Sequence, residues 1–215
     1  MSIKQKIFES TERLFSKHGI KGTKLDDIAA DCKVSKKTIY TIFESKDDLI
    51  YQLFENKITA IEEFGVAFYQ NPEIPITQKL VFIIKAIKEY MSLMSLPLLV
   101  EVRDHYTNVR ELIDQFVDRG IFERFGQLFE EGKLNGDIIP MADFETISLA
   151  YKDAISGILD LRFITKEQEE RQADQTSTFI YIISSLFRGM LSRSLISEFD
   201  EYMHEVYSIE DRSRY

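Results

Sequence analysis

Lys36, Lys37, Thr38, Tyr40 and Thr41 gather two ammonium groups, two hydroxyls and a phenol within one short stretch of the chain. Cations so placed can neutralise phosphates and release their counterions, while hydroxyls and a ring can meet base edges or thymine methyls. Ile39 and Phe43, four residues apart, give the same stretch an apolar inner face, so it reads as a short helix with its polar groups turned outward. Ser35 supplies an N-cap hydroxyl at its start. Just before it, Leu25, Ile28, Ala29 and Cys32 fall at helical spacing and predict another short helix, with Cys32 as a small buried apolar residue. Two short helices joined by a tight turn form a helix-turn-helix, and the second helix is the one shaped to read a DNA groove.

The elements that must hold this pair are legible on both sides. A first helix is expected from Ile3 to His18, opened by Ser2-x-x-Gln5 and carrying an apolar stripe of Ile7, Phe8, Leu14 and Phe15. Gly19 follows as a left-handed C-cap. Thr23-x-x-Asp26 repeats the capping-box form before the second helix, where Asp26 and Asp27 suit the positive end of the dipole. Ser45-x-x-Asp48 repeats it before a fourth helix, predicted from Lys46 to Tyr69 and stopped at Asn71-Pro72. Leu49, Leu53, Phe54, Ile58, Ile61, Phe64 and Phe68 form its stripe, long enough to leave one domain and enter another. Further helices are expected over 80–94, 109–131, 143–163 and 173–195, with a segment over 98–106 before the second of these and a charged loop, ITKEQEERQ, between the last two. Residues 196–215 read as a short extra helix with a frayed end.

Composition bounds the fold class. The 215 residues include nine glycines and four prolines, and strand-like alternation is scarce, so an all-α protein is expected. One cysteine excludes an internal disulfide framework. No apolar run is long enough to span a membrane and the start lacks a signal-peptide core, so the cytoplasm is the expected location. The 27 basic and 36 acidic residues give a net charge of −9, which argues against a nucleic-acid binder. Divided, the chain tells a different story: residues 1–60 carry 11 Lys+Arg and 9 Asp+Glu, whereas residues 61–215 carry 16 and 27. Positive charge is concentrated around the reader, and the acidic remainder repels DNA and favours a single docking face.

The runs IFESTERLFSKHG, GTKLDDIA, VSKKTIYTIF and SKDDLI occur in that order, and over residues 7–50 the chain resembles the N-terminal DNA-binding domain of the TetR family of bacterial transcriptional regulators. The resemblance implies a three-helix DNA-binding domain at 1–46 and a larger helical ligand-binding and dimerisation domain at 47–215, about nine helices in all. It assigns DNA contact to Lys36, Lys37, Thr38, Tyr40 and Thr41, with Lys37, Thr38 and Tyr40 entering the groove. Lys46 becomes a phosphate clamp at a helix N-terminus. Two departures stand out. Lys33 occupies a turn position that is often glycine, so a non-glycine residue is expected in the left-handed region. Ile42 stands where His or Tyr often binds phosphate, and it cannot make that contact.

The resemblance also implies a homodimer on a palindromic double-stranded operator. The last two long helices are the expected interface, through Ile155, Ile158, Leu159, Phe179, Ile183, Leu186 and Phe187. A small amphipathic effector is expected in a cavity lined by Phe64, Phe68, Tyr90, Met94 and Phe125, with Arg103, His105 and Tyr106 as polar contacts. Each of these aromatics, taken singly, also fits an ordinary helical core. Catalysis is not expected: a di-iron bundle needs two Glu-x-x-His pairs, and only Glu201-x-x-His204 has that spacing. No metal site, cofactor, phosphate loop or nucleophile motif is evident. The function expected is therefore a homodimeric repressor released by a small molecule. The alternatives are a DNA-binding regulator without a sensor and a helical bundle that binds ligand but not DNA.

Overall fold

A computed structural model describes residues 2–93, 96–159 and 172–211. They form α1 (Ile3–Gly22), α2 (Leu25–Cys32), α3 (Lys36–Tyr40), α4 (Lys46–Tyr69), α5 (Ile76–Leu93), α6 (Leu96–His105), α7 (Thr107–Asp118), a π-helical segment (Arg119–Phe125), α8 (Gly126–Asn135), α9 (Phe144–Leu159), α10 (Gln172–Met190) and α11 (Ile196–Asp211). The fold is all-α, as expected. One isolated antiparallel bridge joins Ile138 to Leu191.

The chain divides into two compact units, residues 1–61 with 91–115 and residues 62–90 with 116–215. The sequence-based division at residue 46 follows the end of the reader. Packing instead gathers the start of α4, all of α6 and most of α7 into the reader's unit. By chain continuity, α4, α5 and α7 each begin in one unit and end in the other.

In the first unit, Ile7, Phe8 and Phe15 of α1, Ile28 of α2, Ile39 of α3 and Phe43 are buried. The Phe8 and Phe43 rings lie 5.6 Å apart. Two of the three predicted helix starts have the expected cap: Ser2 Oγ accepts from Gln5 N at 3.1 Å, and Ser45 Oγ accepts from Asp48 N at 3.0 Å. The middle one differs. Thr23 Oγ1 turns back to donate to Gly19 O at 2.8 Å, closing the end of α1. Lys24 is the N-cap position, and Asp27 rather than Asp26 reaches back to accept its N–H at 2.8 Å. Cys32 is half-buried rather than enclosed, since Leu25, Ile28 and Ala29 already fill the inward face of α2.

The second unit is built on an aromatic core. Phe125 is fully buried, with ring centroids 6.1 Å from Phe129, 5.9 Å from Phe144, 6.2 Å from Tyr151 and 5.2 Å from Phe187. The long helix expected over 109–131 is helical from Thr107 to Asn135 but widens to π geometry over Arg119–Phe125. Bonding from i to i+5 brings residues five apart nearly to one side. There Arg119 Nε and Arg124 Nη2 both donate to Glu62 Oε1, at 3.1 and 2.7 Å. Helix α10 stops at Met190, short of the expected Leu195. Ile139 N donates to Met190 O at 2.9 Å and Ser192 N to Asp137 O at 2.7 Å, so the following residues are captured by the 137–139 strand-like turn. The C-terminal segment is a helix along α5, tied by Thr77 to Glu198, Gln78 to Tyr202, Lys85 to Glu205 and Lys88 to the Val206 carbonyl.

Candidate nucleic-acid interface

The reader is short because its start and its surroundings are both specified. Ser35 Oγ accepts from Thr38 N at 3.0 Å, and Ile39, the single buried residue of α3, anchors it to the core. The turn before it is a Schellman-type closure: Lys33 N donates to Ala30 O at 3.2 Å and Val34 N to Ala29 O at 2.9 Å. This closure requires a left-handed residue, and Lys33 adopts it with φ 56 and ψ 43, as expected from its position in the turn. Among the described residues Lys33 is the one non-glycine with positive φ.

The predicted contact residues are not equivalent. Tyr40 is 51 % exposed, and its ring stands clear of the core that holds its neighbour Ile39. Lys37 is exposed on the same short helix, and no carboxylate pairs with it among the described residues. Lys36 is exposed too, but its Nζ donates to Asp26 Oδ2 at 2.8 Å. That hydrogen bond raises the Lys36 pKa above the ordinary lysine value. Thr38 shares a hydrogen bond with Ser35 Oγ at 2.8 Å, and Thr41 Oγ1 donates to Thr38 O at 2.7 Å. The Thr41 proton therefore has a local use, which leaves its oxygen free to accept.

Lys46 departs furthest from the phosphate clamp expected of it. Its Nζ turns inward and donates to Ile20 O at 2.5 Å and Thr23 O at 2.6 Å. Burial lowers its pKa, against the opposing charges of Glu101, Asp47 and Asp27. Carbonyl groups exposed where α1 ends are better placed to receive this ammonium than solvent is.

Other residues of this unit escaped sequence reasoning. Asp31 on α2 accepts from Ser10 Oγ at 2.5 Å and pairs with Arg13, fixing α1 against α2. The Ser10 hydrogen bond, then that of Arg13, holds its carboxyl below the usual range. Glu101 on α6 accepts from Ile20 N at 2.7 Å and Lys21 N at 3.0 Å. No local signal marks these pairs, because the partners are separated by 18 to 81 positions.

The family profile described as bacterial regulatory proteins, tetR family, matches residues 7–53, which span α1 to α3 and the start of α4. Over these residues the chain belongs to the TetR family. The HTH-type transcriptional regulator YvaF of Bacillus subtilis is 26% identical over 113 residues, covering 53% of this chain and 59% of YvaF. An HTH-type transcriptional repressor of Streptomyces coelicolor is 36% identical over 55 residues, 26% of this chain and 29% of that one. The chain thus spans less than two thirds of these two relatives. The crystal structure of the transcriptional regulator FadR from Bacillus subtilis, in complex with stearoyl-CoA, superposes with a TM-score of 0.61 at 18% identity. It covers 85% of this chain and 96% of that one, which shows a shared fold.

The TetR-type effector residues expected from sequence are not brought together in one unit. Phe68 and Phe125 lie in the second unit, where Phe68 stacks on Phe82 at 4.5 Å and Phe125 is enclosed by other rings. The backbones of Phe64 and Tyr90 belong there too. His105 and Tyr106 lie in the first unit with the reader, and His105 Nε2 accepts from Lys21 Nζ at 2.5 Å. Arg103 is on α6 of that same unit, and Met94 lies outside the described residues. A surface pocket of about 100 Å³ opens elsewhere in the second unit, lined by Pro72, Ile76, Lys79, Leu128, Glu131 and Asp137 among others. None of the expected effector residues lines it.

The dimer residues expected from sequence also divide. Ile183 and Phe187 are 1 % and 0 % exposed, so the protomer's own core takes them. Leu186 is half-buried, while Ile155, Ile158, Leu159 and Phe179 fall on α9 and α10. The side chains of Ile155, Ile158, Leu159 and Phe179 lie outside those described, and among the described side chains of these two helices the exposed large apolar ones are Leu149, Tyr181 and Ile182. No helix among the described residues is long and apolar enough to cross a membrane.

Proposed function

We propose that this TetR-family protein is a homodimeric transcriptional repressor whose hold on a palindromic operator is released by a small amphipathic effector. The observation that carries the DNA half of this reading is the outward pair on α3, an exposed Lys37 and a half-exposed Tyr40, on a helix anchored by one buried residue. Lys37, Thr38 and Tyr40 enter the groove, where Thr38 and Tyr40 meet base edges and Lys37 the phosphates at its rim; Lys36 and Thr41 meet phosphates, and the net positive N-terminal segment draws the reader to the groove. Lys46 reaches phosphate only by leaving the carbonyls of Ile20 and Thr23. Two copies related by a two-fold axis place two readers in successive major grooves, and α9 and α10 supply the pairing surface through Leu149, Tyr181 and Ile182.

The effector half rests on the second unit. Tyr151 is 6 % exposed, and its hydroxyl has no hydrogen-bond partner among the described residues. A buried hydroxyl left without a partner is unfavourable, and an acceptor group on a ligand would satisfy it. Phe125 and Phe187 provide apolar walls beside it, and one structural relative was crystallised with stearoyl-CoA. Ligand favours a conformation in which α4, continuous through both units, changes tilt and the two readers lose their spacing.

The test is selection from randomised DNA, followed by anisotropy titration of the selected site at several salt concentrations. Tight, salt-steep binding is expected, and Tyr40→Ala should weaken the selected site by about 1–3 kcal/mol with the dimer intact. A wild-type protein that enriches no sequence would overturn the regulator. Unchanged affinity in Tyr40→Ala would overturn the reader assignment.

A further inference from the structure

The corner between α1 and α2 is held from two sides by residues that do not belong to either helix. Glu101 of α6 accepts from the N–H groups of Ile20 and Lys21, at 2.7 and 3.0 Å. Lys46 of α4 donates to the carbonyls of Ile20 and Thr23, at 2.5 and 2.6 Å. A carboxylate on the donors and an ammonium on the acceptors satisfy the corner's backbone groups from both sides. Gly19 makes room for this. Its φ is +72, and a Cβ there would stand 2.8 Å from Glu101 Oε1. Beside it, Lys21 Nζ and His105 Nε2 share a further hydrogen bond to α6.

We infer that Glu101 is a positioning residue for the reader: its carboxylate, docked on the Ile20 and Lys21 amides, sets the angle at which the helix-turn-helix leaves α1. The corner feeds directly into α2, and α2 carries α3 through the Schellman closure at Lys33. A backbone corner bonded on both faces has little freedom to rotate, so the reader's direction is set where Glu101 and Lys46 meet it. Helix α6 lies between α5 and α7 in the chain, and each of those helices has its far end in the second unit. A change in the second unit that moves α5 or α7 therefore pulls on Glu101 through the chain. The inference rests on the regulator reading for its consequence in DNA binding, but the docking itself does not.

The experiment compares Glu101→Ala, Glu101→Gln and Gly19→Ala in the full chain, using two readouts. The first is amide hydrogen exchange at Ile20 and Lys21. The second is the ratio of affinity for the selected operator to affinity for random DNA at the same salt. Glu101→Ala and Gly19→Ala are expected to speed exchange at those two amides, and to lower the ratio, by about tenfold each. Glu101→Gln keeps an acceptor oxygen and should restore both to within about threefold of wild type. General destabilisation reduces the active fraction equally for both DNAs, so the ratio separates a positioning role from a merely structural one. Wild-type exchange at both amides in Glu101→Ala would overturn the docking. Faster exchange with an unchanged ratio would overturn the positioning role. Absence of operator binding in the wild-type protein would count against the regulator and leave the exchange result to judge the docking.

Discussion

Replacing Phe187 by alanine tests which of two roles the C-terminal helices give this phenylalanine. Its sequence position suits a dimer interface, yet its side chain is fully buried within one protomer. Its ring stacks 5.2 Å from Phe125 and meets Tyr151 edge-on at 5.9 Å. Removing a buried phenylalanine loses its transfer free energy, about 1.5–3 kcal/mol. It also leaves a cavity and removes aromatic pairings of about 0.5–1.5 kcal/mol each. The combined destabilisation expected is about 4 kcal/mol, within the usual range for Phe→Ala. At about 2–4 °C per kcal/mol for a chain of this size, the melting temperature should fall by roughly 8–16 °C. Thermal unfolding followed by circular dichroism at two protein concentrations measures this, and light scattering gives the dimer fraction of the folded variant. Ile182→Asp is the counterpart, since Ile182 is 42 % exposed on the same helix. It should alter folding of the protomer little and dissociate the dimer. A Phe187→Ala protein that melts within about 1 kcal/mol of wild type but runs as a monomer would refute the core assignment.

Three further outcomes concern the first unit. Lys37→Ala should lower the slope of log affinity against log salt by about one, because its ammonium is free to replace one counterion at a phosphate. Lys36→Ala should lower the slope and the affinity less, since its ammonium is already bonded to Asp26; equal effects would count against that pair. Lys33→Gly should stabilise the protein by about 1 kcal/mol, because left-handed backbone costs about that much for a residue with a Cβ. Lys33→Ala should not stabilise it, and equal melting temperatures for the two variants would show that strain is not the cause. Asp31, held below the usual carboxylate range by Ser10 and Arg13, stabilises the folded state at pH above the unfolded value. That contribution is lost as pH falls through the lowered folded value. Asp31→Asn should therefore flatten the acid limb of stability against pH, as measured by denaturant melts between about pH 2 and 5. An unchanged acid limb would sink this assignment.

Local chemistry made the DNA-binding half legible. Ser2, Ser35 and Ser45 cap helices through residues three positions away, and the strain at Lys33 follows from the turn in which it stands. Such interactions close within one or two turns of chain, so residue order alone contains both partners. The same reach explains the misplaced cap at α2. The boxes Thr23-x-x-Asp26 and Lys24-x-x-Asp27 are one residue apart, and the second forms because Thr23 Oγ1 is taken by the carbonyl of Gly19.

The rest needed the tertiary structure. Ile183 and Phe187 share helical spacing with residues that stay exposed, and periodicity cannot say whether an apolar face meets its own protomer or a second copy. The expected effector residues look alike as a set of aromatics and polar groups, yet His105 and Tyr106 fold with the reader while Phe68 and Phe125 fold elsewhere. Sequence by itself determined most of the helices, the caps at Ser2, Ser35 and Ser45 and the outward side chains of α3, because those follow from local hydrogen bonds and 3.6-residue periodicity. Tertiary structure alone decided that Lys46 turns inward and that Glu101 docks on the same corner from 80 positions away. Hydrogen bonds between distant segments are set by which backbone groups the packed helices leave unsatisfied, and no local pattern in the chain records them.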